Sequence, residues 1–197
     1  MRASRAIGRT LICLSLGLGV ASAAAAQPQC GGIGGGAVEV MAINREANTD
    51  SGPWGAGNRH GFELTPAAAA TFDCIEAKLG SNVPWPIELT VYTQRNGTVL
   101  ATGSVVPALP FVWTGFALDA SVTFTGGSPY FLAFSSPNGT GWIPGVLVGG
   151  ATALPWWYSG IGSSFFDVPF GSASPGFRFM VLPVFADGFE TGDLQRW

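Results

Sequence analysis

From Thr71 onward, apolar and polar residues alternate with a period of two, the spacing of strands with one buried and one wet face. Ile87, Leu89 and Val91 point one way, and Glu88, Thr90 and Tyr92 the other. Asn96-Gly97 then marks a hairpin bend, because both residues tolerate positive φ, and 98–105 reads as the return strand. Further strands are predicted at 37–44 (Val38, Val40 and Ala42 sharing a face), 111–118, 121–125, 130–135, 145–148, 156–159 and 177–182. Over 72–79, Phe72, Cys74, Glu76 and Lys78 alternate with Asp73, Ile75, Ala77 and Leu79, which requires a register change or bulge. Residues 46–61 are polar and turn-forming and read as a long loop, while Gly126-Gly127 and Asn138-Gly139 supply turns. No window carries a helical period; Ala67 to Ala70 is too short and follows Pro66. About nine or ten strands with turns between them predict an all-β, jelly-roll-like antiparallel β-sandwich.

Composition changes the setting of this fold. Residues 1–26 have the layout of a secretory signal: Arg2, Arg5 and Arg9, then an apolar stretch from Leu11 to Val20, then small residues up to Ala26. That apolar stretch is short beside the ~20 residues that span a bilayer. Its removal leaves six basic residues against twelve acids, a net charge of −6, which argues against a nucleic-acid partner. The expected organisation is a signal peptide over 1–26, a flexible Gly-rich lead-in over 27–36, a sandwich over 37–184 and an acidic, aromatic tail over 185–197. The lead-in glycines lack the following helix that a phosphate loop needs. Cys30 and Cys74 are then the only thiols, and an even count in an oxidising compartment predicts a disulfide.

Candidate chemistry is sparse. His60 is the only histidine, and no Gly-x-Ser-x-Gly elbow accompanies it, so it reads as a surface loop residue. Two cysteines and one histidine fall short of a structural zinc set. Glu39, Glu63, Glu76 and Glu88 lie on or near strands, where a remote pair is the carboxylate arrangement of a glycoside hydrolase; the alternation makes them solvent-facing partners instead. Trp54, Trp85, Trp142, Trp156 and Trp157 fall in Gly/Pro-rich loops or at strand ends. Flat rings so placed can stack on the apolar faces of sugars, or cap the ends of the sandwich. No charged residue lies between Asp119 and Asp167, yet Pro144 and Pro155 argue against a membrane helix there. Counting back by two from Trp197 gives Gln195, Asp193, Thr191 and Phe189, not the lipid-facing stripe that closes an outer-membrane barrel. Asn96-Gly-Thr98 and Asn138-Gly-Thr140 fit a glycosylation sequon but read as turn chemistry.

Two stretches resemble known patterns. Phe185-Ala-Asp-Gly-Phe-Glu-Thr-Gly-Asp-Leu-Gln-Arg-Trp197 is similar to an ending shared by many secreted bacterial proteins, which implies an address read by export or sorting machinery. Asp187, Glu190 and Asp193 recur there at a spacing of three; they suit an exposed turn and are few for a calcium loop. Ile87-Glu-Leu-Thr-Val-Tyr, Thr98-Val-Leu-Ala-Thr, Trp113-Thr-Gly-Phe and Tyr130-Phe-Leu-Ala-Phe resemble the β-sandwich domains of the bacterial choice-of-anchor families, over roughly 71–182. That resemblance implies an extracellular domain without a known catalytic set. The chain is therefore expected to be an exported, non-enzymatic sandwich, without a cofactor, that binds carbohydrate or another extracellular surface. The alternatives are a structural cell-surface component that packs against other proteins and a secreted glycoside hydrolase.

Overall fold

The computed structural model describes residues 30, 36–52, 54–55, 57–136, 143–160, 163 and 165–182. Alternation becomes strands that pair only antiparallel among these residues. In chain order they are β1 (Val38–Ile43), β2 (Thr49–Asp50), β3 (Arg59–Leu64), β4 (Ala70–Lys78), β5 (Ile87–Tyr92), β6 (Val99–Val105), β7 (Trp113–Phe124), β8 (Tyr130–Ser135), β9 (Leu147–Val148), β10 (Leu154–Ser159), β11 (Val168–Ala173) and β12 (Phe177–Val181). A four-stranded sheet runs β1-β12-β4-β7 and a six-stranded sheet β11-β10-β3-β8-β5-β6. The two pack face to face as an all-β sandwich.

One apolar layer fills the space between them. Phe72, Phe116, Phe124, Phe177 and Phe179 from the first sheet meet Phe62 and Phe134 from the second, all fully buried. Each such ring contributes about 1.5–3 kcal/mol relative to an exposed one. β6 and β7 draw together at one side of the sandwich. Gly103 permits this approach, because a Cβ there would press into the Ala117 backbone at 2.7 Å. The Thr102 N–H and hydroxyl both donate to the Asp119 carboxylate at 2.8 Å, which holds that carboxyl below its usual range. Six strands are wider than four. The surplus falls at the opposite side, where β11 is exposed from Val168 to Ser172. The short β2–β9 ladder, with the bridges Trp54↔Ile143 and Leu79↔Val146, closes one end.

Several elements differ from the sequence expectation. The 46–61 stretch is not one loop, because β3 begins at Arg59 and carries a buried His60. β11 is a strand absent from the sequence expectation. The predicted 111–118 and 121–125 segments merge into β7, while the bulge expected over 72–79 lies between Phe72 and Cys74. Val38 and Val40 are exposed at 62% and 42%. Glu76 is 2% exposed rather than solvent-facing, because Cys30 covers it. Its carboxylate accepts from the Cys30 N–H at 3.0 Å and pairs with Arg178. The Cys30–Cys74 disulfide, with Cα atoms 5.9 Å apart, fastens Cys30 to β4 beside Met180. No described helix is long and apolar enough to cross a membrane. The predicted signal peptide over 1–26, most of the predicted 27–36 lead-in and the 185–197 stretch with Asp187, Glu190 and Asp193 lie outside the described residues.

The disulfide closes a loop of 44 positions, so Cys74→Ser should lower unfolding free energy by about 4 kcal/mol in chemical denaturation. An unchanged denaturation midpoint would contradict the role assigned to this crosslink.

Candidate functional site

β10 lies between β3 and β11, with Trp156 opposite Phe62, Trp157 opposite Gly61 and Tyr158 opposite His60. Alternation sends the two adjacent tryptophans to opposite faces. Trp156 and Tyr158 join Phe62 and His60 on the inner face, and Trp157 goes outward.

The β10–β11 register steps from Trp156↔Gly171 to Trp157↔Pro169, leaving Phe170 as the extra residue of a bulge. Gly171 takes φ 123, a conformation that side chains rarely adopt, so the bulge depends on glycine there. A bulge re-aims a side chain, and here it lays the Phe170 ring 4.4 Å from Trp156 and 6.2 Å from Tyr158 and His60. Phe170 nevertheless remains 59% exposed, while Trp156 and Tyr158 are half-buried. Beneath them, Trp156 stacks on Phe62 at 5.8 Å, and the buried Trp54 stacks on His60 at 4.5 Å. Paired backbone bonds with Ile143 hold Trp54 in place.

His60 is set by this surrounding. The Trp156 Nε1–H donates to its Nδ1 at 3.1 Å. An indole nitrogen can only donate, so Nδ1 is the acceptor and the proton of the neutral ring sits on Nε2. His60 Nε2 and Trp54 Nε1 are buried donors without a hydrogen-bond partner among the described residues. Burial lowers the His60 pKa to about 4.

A second aromatic cluster on the outer face is built differently. Trp157, Phe131, Tyr92 and Phe166 pack together over Gly61, where any side chain would strike the Phe131 ring. The Arg95 guanidinium lies 3.7 Å from the Trp157 ring and that of Arg59 4.8 Å from Phe166. Arg59 Nη2 donates to the Tyr92 hydroxyl, and Arg95 Nη1 to the Phe166 carbonyl, both at 2.6 Å. The Phe166 N–H donates to Asn96 Oδ1 at 2.7 Å. These interactions make a structural seal.

Of the five tryptophans singled out from the sequence, Trp54 and Trp156 meet in the inner cluster. Trp157 lies on the other face, Trp85 packs half-buried against the main core, and Trp142 is outside the described residues. Phe170 and Tyr158 are not among the sequence candidates; Gly171 inside an apolar run is the bulge signal that the sequence carries there. The carboxylates do not converge. Glu39 pairs with Arg45 and Glu76 with Arg178. Glu63 and Glu88 share the outer face and flank β8 opposite Phe131 and Ser135. Strand spacings therefore place their backbones roughly 17 Å apart, well beyond the ~9.5 Å upper separation of a hydrolytic carboxyl pair. No group of three metal-ligating side chains occurs among the described residues. No protein-family model matches the chain, and no curated protein matches it in sequence.

The folded protein resists protonating His60 until about pH 4, whereas the unfolded chain takes the proton near 6.5. Stability should therefore be full above pH 6.5 and fall toward pH 4, by about 3 kcal/mol in total. Denaturant melts across this window should show the slope in the native protein, and His60→Phe should flatten it. Parallel profiles for the two proteins would refute the buried neutral histidine.

Proposed function

We propose that the chain is an exported, non-catalytic β-sandwich that binds carbohydrate on the ring platform formed by Phe170, Trp156 and Tyr158. The observation that carries this reading is the exposure of Phe170. Nine other phenylalanines are fully buried, and of the three exposed ones among the described residues (Phe111, Phe165 and Phe170) Phe170 is the one that lies against Trp156 and Tyr158. Leaving this ring in water forgoes roughly 1.5–3 kcal/mol. A bulge built on Gly171 holds it there against Trp156. The C–H face of a sugar ring offers such a surface an apolar partner, and its hydroxyls remain free for water or nearby polar groups. The platform suits an uncharged sugar, because Arg59 and Arg95 are engaged on the opposite face.

Export rests on the leader layout of residues 1–26 and is supported by the Cys30–Cys74 disulfide, which suits an oxidising compartment. The 185–197 tail then serves as the address read by sorting machinery. With Glu39 and Glu76 paired to arginines and Glu63 and Glu88 far apart on the outer face, recognition is favoured over hydrolysis.

A glycan array probed with the mature domain should identify oligosaccharide ligands. For the best of them, Phe170→Ala should weaken binding about tenfold, the scale of one lost stacking contact, with little change in Tm. Trp157→Ala should lower Tm and leave the affinity of the folded fraction near native. Undiminished binding in Phe170→Ala would overturn the platform.

A further inference from the structure

A mostly apolar groove of about 360 Å³, with Thr65 and Thr152 as its polar side chains, lies between β1, the 64–70 connection and the start of β10. Leu64 and Leu154, 2% and 6% exposed, are its most deeply buried apolar residues, and Met41 and Ile43 of β1 are half-buried along it. Four successive alanines, 67–70, line it with side chains too short to fill it. None of its lining residues is charged. β1 is an edge strand, pairing only with β12 among the described residues. The volume falls within the range of small-molecule sites.

The position of the groove matters more than its size. Leu154, in its lining, and Trp156, in the platform, lie two residues apart on one face of β10, a spacing of about 7 Å. We infer that the groove takes an uncharged alkyl or acyl chain, carried by the same ligand whose sugar rests on the platform. The ligand class is an alkylated or acylated glycoside. A charged chain is disfavoured because nothing in the lining would pair with it. The sugar end of this inference rests on the platform reading, whereas the chain end rests on the groove alone.

The test uses the mature protein with n-octyl β-D-glucoside, held below its micelle concentration, against glucose, by calorimetric titration. The alkyl glucoside should bind at least tenfold more tightly than glucose. Ala69→Trp, which fills the groove, and Ala67→Glu, which puts a charge at its exposed wall, should each remove that advantage without unfolding the domain. Phe170→Ala should weaken both ligands by a similar factor. Equal affinity for the two ligands, no binding of octyl glucoside, or an alkyl advantage that survives both groove variants would overturn the inference. In those cases a loss of glucose binding in Phe170→Ala would leave the platform standing. If the advantage disappears in Ala69→Trp and Phe170→Ala changes neither ligand, the groove is upheld as the chain site and the platform reading fails.

Discussion

The structure depends on two sheets of unequal width sharing one core. Their relative position is set where β6 and β7 meet, through the approach that Gly103 allows and the two hydrogen bonds from Thr102 to Asp119. From that side, four strands cannot cover six. Past Leu154 and Ala173, which pack into the core, the inner face of β10 and β11 is only partly covered, and the residues that meet there are Trp156, Tyr158 and Phe170. Trp156 and Tyr158 reach it through ordinary alternation and Phe170 through a bulge. Pro169 on the outermost strand supplies no N–H, which discourages a further strand from pairing there. The edge is thus guarded while the ring surface stays open.

The two aromatic clusters show how different environments assign different work to the same residue types. On the outer face, each arginine has a ring and an oxygen to engage, and Asn96 clamps Phe166 from the hairpin turn. Those rings are sealed in place. On the inner face the centre of the cluster is His60, kept neutral by burial and fixed in one tautomer by Trp156. Protonation would put a proton where the Trp156 indole already donates. The rings that support the platform are consequently bound to the neutral state of one histidine.

Much of the fold was legible from sequence, because β5 alternates cleanly, β8 is a short continuous apolar run, and the turns that precede β6 and β8 carry Asn-Gly and Gly-Gly. β3 was obscured because Arg-His-Gly-Phe opens inside a run of turn-forming residues. Its glycine is a space requirement for Phe131 rather than a turn, and its histidine sits among rings that only the fold assembles. β11 was hidden by Pro169 and Gly171, both strand breakers that are tolerated at an edge and in a bulge. Glu76 follows the alternation faithfully but lies beneath Cys30, a long-range cover that no local pattern reports. For the candidate site, tryptophan content pointed to the right strand. It could not separate Trp156 from Trp157, since a single residue decides which face each occupies.

The most direct measurement is a two-dimensional carbon–proton NMR spectrum of the aromatic side chains, recorded while an oligosaccharide selected by array is titrated in. The platform account predicts shifts concentrated in Phe170, Trp156 and Tyr158, with Trp157, Phe166 and Trp85 unmoved. Shifts centred on Trp157 and Phe166 would contradict it and place recognition on the arginine-sealed face.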